Sequence, residues 1–210
     1  DDAPVGADIN GYLLLDDNII EVDLTPNRSD CLGIIGLARE TGLMNNLDVC
    51  TPDMQPVAAA HNDEVAVHLA ALEGCPRFVG RVVRGVNLTA ATPLWLTEKL
   101  RRSGIRSIDP VVDVTNYIML ELNQPMHAYD LNRLTGDITV RQSIGGEQLT
   151  LLNGSETTLA AGTLLITDAS GPIGMAGIMG GASTAVQSDT QDIYLEAAFF
   201  APIAIAGRAR

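Results

Sequence analysis

Aromatic residues make up only 4% of the 210 positions, so the core must be built from Ile, Leu, Val and Ala. The three cysteines, Cys31, Cys50 and Cys75, are an odd set without a CxxC pair. Neither a disulfide framework nor a zinc site is indicated, and a reducing, cytoplasmic setting is the simplest reading. No apolar run approaches the length that spans a bilayer. The opening DDAPVGADIN has neither the basic start nor the apolar centre of a signal peptide. H-E-x-x-H, EF-hand and Walker patterns are missing, as is any Ser–His–Asp order. Any catalysis is therefore expected to be metal-free and to rely on positioned water.

Hydrophobic residues at 46%, with 20 Gly and 10 Pro, describe a loop-rich globular chain long enough to bury a real core. The net charge of −13 argues against a nonspecific nucleic-acid binder. Its distribution softens that objection. Acidic residues dominate up to residue 76, against Arg28 and Arg39 alone, whereas Arg77, Arg81, Arg84, Lys99, Arg101, Arg102 and Arg106 face only Glu98 across residues 77–108. Such a block either meets phosphate or is a solvated helix face.

The pattern of Ile19–Leu24 alternates as a half-buried strand does, and Ser29 or Asp30 is placed to cap a helix reaching about Met44. Residues 47–62 read as a connector. Strands are predicted at Val65–Leu69 and Phe78–Val86. A helix then starts at Thr92-Pro93 and stops at Gly104, and a second runs from Pro110 to about Leu122. Short apolar runs at Ile138–Val140, Leu149–Leu152, Leu164–Asp168, Ile173–Met175, Ile178–Met179 and Ile193–Glu196 read as strands, with Asn153-Gly154 as a hairpin turn. A helical pair flanked by strands implies an α+β fold with sheets packed in layers. The stretch from Pro202 to Arg210 reads as an interrupted helix, and the whole as a fragment excised from a longer chain.

Among the histidines, His61 in the connector and His68 on a strand read as surface or sheet residues. His127 follows a helix in a proline-broken segment beside Gln124 and Asp130, which reads as a loop, the usual place for a catalytic group. The plainer alternative is a loop histidine bonded to a backbone carbonyl. Thr115 and Asn116 either rim the same cavity or bond back along their helix and face water. Glu196, amid Ile193, Tyr194, Leu195 and Ala197, either needs a buried partner or points to solvent. Glycines of GPIGMAGIMGG, Gly180 among them, serve close packing or the approach of a ligand to the backbone.

Several blocks together resemble one family. They are TPNRSDCLG at residues 25–33, PRFVGRVVRGV at 76–86, TPLWLTEKLRRSGIRSID at 92–109, VDVTNYIMLELNQPMHAYD at 112–130, MAGIMGG at 175–181 and LEAAFFAP at 195–202. In this order they are similar to the central, tRNA-editing part of bacterial phenylalanyl-tRNA synthetase β subunits; residues 47–74 and 182–190 match least. The resemblance implies a layered β–β–α sandwich with short strands around a central helical pair, one compact editing domain of two interleaved lobes at about 1–75 and 76–210. It implies hydrolysis of tyrosine misattached to phenylalanine tRNA. His127 is then the group that positions the ester or the attacking water, Thr115 and Asn116 line the pocket, Glu196 recognises the tyrosine hydroxyl, Gly180 forms the floor and Arg106 stands near the site. It further implies no cofactor for this part, ATP and magnesium being used elsewhere in the whole synthetase. The implied partners are the acceptor end of tRNA(Phe) and the synthetase α subunit, with no membrane. A non-catalytic RNA-binding or subunit-interaction module of the same synthetase is the alternative.

Overall fold

The computed structural model describes residues 3–207, which group into two compact units. One unit takes residues up to Asp53 together with Ala90–Gln124; the other takes Met54–Thr89 and the chain from Pro125 onward. The boundary expected near residue 75 falls inside the second unit. The fold is α+β, with helices concentrated in the first unit and strands in the second.

The helix-rich unit contains α1 (Ile9–Tyr12), a 3-10 turn (Ser29–Leu32), α2 (Ile34–Asn45), α3 (Leu94–Arg102) and α4 (Pro110–Leu122). The last is set by local chemistry. The Asp109 carboxylate accepts from the N–H groups of Val111 and Val112, Pro110 occupies the first turn, and Asn123 ends the helix with φ 57°. Leu96 and Leu100 of α3 are buried, and Trp95 meets Tyr117 of α4 edge-on at 5.4 Å. Residues 19–24 form no strand, and Ile19, Ile20 and Val22 are exposed. Alternation alone does not make a strand; it needs a hydrogen-bonding neighbour, and the described residues of this unit supply none. The single helix expected from Ser29 or Asp30 is split by Gly33, whose extended backbone separates the 3-10 turn from α2.

The sheet-rich unit contains β1 (Val67–Leu69), β2 (Arg77–Val83), β3 (His127–Asp130), β4 (Ile138–Gln142), β5 (Glu147–Thr150), β6 (Glu156–Leu159), β7 (Leu164–Asp168), β8 (Gly171–Met175), β9 (Met179–Gly180), β10 (Ile193–Phe199) and the short α5 (Pro202–Ile205). A five-stranded sheet has the order β1-β4-β7-β8-β9, parallel only between β1 and β4; an antiparallel three-stranded sheet has the order β2-β10-β3. Strands β5 and β6 form a hairpin closed at Asn153-Gly154, where Gly154 takes φ +82°. Every residue of β7 is buried. One core receives Ile138, Val140, Leu164, Ile166 and Ile173 from the five-stranded sheet and Val82, Tyr129 and Tyr194 from the three-stranded one, so the two sheets are layered across shared apolar contacts. Of the helix expected from Pro202 to Arg210, four residues are helical, and 208–210 lie outside the described residues.

Candidate functional site

His127 is the first residue of β3, not a loop residue, because Pro125 ends the connection from α4 and the backbone then pairs with β10. The register sets His127 opposite Glu196 and Tyr129 opposite Tyr194. With a side-chain period of two, all four project from one face of the three-stranded sheet. On the other side of β10, Gly80 of β2 stands opposite Glu196. A Cβ at Gly80 would lie 1.7 Å from the Tyr194 hydroxyl, so only glycine leaves room for that phenol across β2. Gly180 of β9 closes on the face from the five-stranded sheet: a Cβ there would fall 2.5 Å from His127 Cε1 and 2.8 Å from its Nε2.

Between them lies a cavity of about 450 Å³, the size that accepts an amino-acid side chain, lined by His127, Tyr129, Gly180 and Glu196 with Met175 and Phe200 among the apolar walls. His127 Nε2 is buried and has no hydrogen-bond partner. Burial lowers the His127 pKa to about 4, so the ring is neutral at physiological pH. Glu196 is 5% exposed, and burial raises its pKa to about 7 against the opposing hydrogen bond that Tyr129 donates to Oε2. The Tyr129 hydroxyl is pushed well above its ordinary value by burial and by the Glu196 charge. A neutral imidazole nitrogen without a partner and a carboxyl titrating near neutrality are suited to orient a water molecule and to test a ligand for a hydroxyl. No group of three or more His, Cys, Asp or Glu side chains suited to a metal occurs among the described residues.

The structure thus brings together His127, Gly180 and Glu196, which are separated by 69 positions of sequence at the extremes. Thr115, Asn116 and Arg106 belong to the helix-rich unit, whereas this cavity is lined from the sheet-rich unit. The Thr115 hydroxyl donates to the Val112 carbonyl at 2.9 Å, the back-bonded alternative. Arg106 borders a shallow depression at the end of α3 with Glu98 and Arg101. Sequence reasoning missed Tyr129, although the period of two counted from His127 points to it once β3 is known to be a strand. His68 pairs with Asp137 at 2.9 Å on the surface, in keeping with its reading as a sheet residue. The basic block is largely engaged: Arg84 pairs with Asp63 and Asp192, Arg101 with Glu98, and Arg102 with Asp17. Among the described residues no helix is long and apolar enough to cross a membrane.

A family model described as the B3/4 domain matches residues 74–210. Over 209 residues the sequence is 56% identical to a phenylalanine–tRNA ligase beta subunit of Dickeya dadantii and 57% identical to one of Pseudoalteromonas translucida. Each alignment covers 100% of this chain and 26% of the relative, so the chain spans about a quarter of their length. A crystal structure of an N-terminal fragment of the phenylalanyl-tRNA synthetase beta-subunit from Pyrococcus horikoshii aligns with a TM-score of 0.52 at 16% identity, covering 85% of this chain and 55% of that one. That likeness concerns the fold.

Proposed function

The chain belongs to the B3/4 domain family, and on that premise we propose that it is the editing part of a phenylalanyl-tRNA synthetase β subunit, hydrolysing tyrosine misattached to phenylalanine tRNA. The observation that carries this reading is the cavity on which His127, Gly180 and Glu196 converge, with the His127 Nε2 left unpaired inside it. A synthetic pocket built for phenylalanine cannot strongly reject a ligand that merely adds a hydroxyl, and discriminates by only about 10². A second pocket that bonds the hydroxyl reverses the test. Bound tyrosine gives the Glu196 carboxyl a partner, whereas bound phenylalanine leaves it underserved at a cost on the order of 1–3 kcal/mol. The neutral His127 Nε2 then holds the attacking water or the ester, and orientation supplies much of the acceleration. Gly180 allows close approach to the imidazole. Thr115, Asn116 and Arg106 enter this reading by resemblance alone. The acceptor end of tRNA(Phe) delivers the ester, the α subunit is the partner chain, and ATP and magnesium serve synthesis elsewhere in the enzyme.

The test is deacylation of tyrosyl- and phenylalanyl-tRNA(Phe) by the full synthetase. Glu196→Ala is expected to narrow the preference for the tyrosyl ester about tenfold while phenylalanine charging stays intact. His127→Ala is expected to slow both esters, because it acts on what the two share. Unchanged hydrolysis in both variants would favour the non-catalytic module instead.

A further inference from the structure

The cavity contains one residue to which neither the sequence blocks nor the proposed chemistry gives a role. Tyr129 is 1% exposed, and its hydroxyl donates to Oε2 of Glu196, which is also buried. Its ring also meets the His127 imidazole edge-on, centroids 4.5 Å apart at 81°, and leans on Tyr194 at 6.3 Å. One side chain thus touches both groups on which the proposed reaction depends. We propose that Tyr129 is a positioning residue that sets specificity: it holds Glu196 by Oε2, so that Oε1 alone reads the hydroxyl of the bound side chain. This rests on the editing reading of the cavity.

The physical argument starts from the terminal torsion of glutamate, which is broad and leaves an unanchored carboxyl free to turn. A carboxyl that turns can satisfy itself elsewhere when the ligand has no hydroxyl, and discrimination is lost. A bond from a tyrosine whose backbone is paired with β10 and whose ring has His127 and Tyr194 as neighbours removes that freedom. The groups facing Glu196 are Tyr129 and His127 from β3, Tyr194 on its own strand and the thiol of Cys75 ahead of β2. From the covering sheet, Ile166, Gly174, Met175 and Gly180 bring nothing that titrates. The Tyr129 hydrogen bond is therefore what opposes burial in fixing the Glu196 charge.

Tyr129→Phe removes one oxygen and leaves the ring. In the full synthetase the ratio of tyrosyl to phenylalanyl ester hydrolysis is expected to fall about tenfold, the value of one lost hydrogen bond. In carboxyl ¹³C spectra, the Glu196 titration midpoint should move upward. Tyr129→Phe combined with Glu196→Gln should match Glu196→Gln alone in that ratio, since Tyr129 acts through the carboxyl. An unchanged Glu196 midpoint, or a further loss of discrimination in the double variant, would overturn the proposal. A wild-type enzyme that hydrolyses neither ester would refute the editing reading by itself, whereas the titration reports separately on whether Tyr129 holds the Glu196 carboxyl. Should Tyr129→Phe fail to fold, fluorotyrosine incorporated at position 129, which keeps the ring and strengthens the donor, must move the Glu196 midpoint downward or the proposal falls.

Discussion

Asp113 of the helix-rich unit and Glu196 of the sheet-rich unit are both buried carboxylates, and the two are treated oppositely. Asp113 in α4 is fully inaccessible and receives the hydroxyls of Thr92 and Ser107 and the N–H of Ile108. Burial alone would raise its pKa, but these three donors outweigh burial and hold it below the ordinary carboxylate value. Glu196 is almost as deeply buried, has one donor, and is pushed up to about 7. Depth of burial is thus no guide to role. A carboxylate surrounded by donors is a fixed joint, here tying the segment before α3 and the turn before α4 to that helix. One left short of donors beside an open cavity, opposite an unpaired imidazole nitrogen, is in a state that a ligand can complete.

The most forceful way to break this contrast is truncation of the satisfied group. Asp113→Ala strands two hydroxyls and an amide, and should destabilise α3 and α4 by about 3–5 kcal/mol, whereas Glu196→Gln should cost β10 little. Amide hydrogen exchange, read separately in α4 and β10, checks this, and the contrast is wrong if Glu196→Gln is the costlier change.

Titration sharpens it further. Glu196 has a folded pKa raised from 4.5 to about 7, so its contribution to stability is full below pH 4.5 and is lost as pH rises through 7. His127 has a folded pKa lowered from 6.5 to about 4, so its contribution is full above 6.5 and is lost as pH falls through 4. The two oppose each other in the window between, and the wild-type profile should be nearly flat there. Glu196→Gln should uncover stability that rises with pH across that window, and His127→Gln stability that falls, each by on the order of 3 kcal/mol at 1.36 kcal/mol per unit. Urea unfolding at a series of pH values tests this; variants with parallel profiles would show that the two groups do not titrate as their surroundings imply.

The smallest effect on stability belongs to Gly180→Ala. Its backbone is not in the positive-φ region, and the atoms nearest the added methyl are those at the end of the His127 ring, followed by Leu152 Cδ1 at 3.2 Å. A loss of about 1–2 kcal/mol is expected, together with, on the editing reading proposed above, slower hydrolysis of both esters because the imidazole must turn. A variant with full activity on both esters would show that the close approach of Gly180 to His127 has no part in the chemistry.

What the sequence determined by itself was local. Pro110 and Asn123 bracket α4 because caps and proline act within one turn, Asn153-Gly154 closes its hairpin for the same reason, and the apolar runs of β4, β7 and β8 are sheet strands as their composition requires. The blocks around His127, Gly180 and Glu196 were likewise visible as residues. What only the tertiary structure decided was who stands opposite whom. Ile19–Leu24 has a strand's pattern and forms none, while the segment at His127 looked like a loop and is a strand, because a strand exists through its neighbour and not through its own residues. Glu196 was open to either solvent or burial on sequence grounds. Its fate was set when β10 became the middle strand of its sheet, and its partner Tyr129 lies 67 residues away, a distance over which no local pattern carries information.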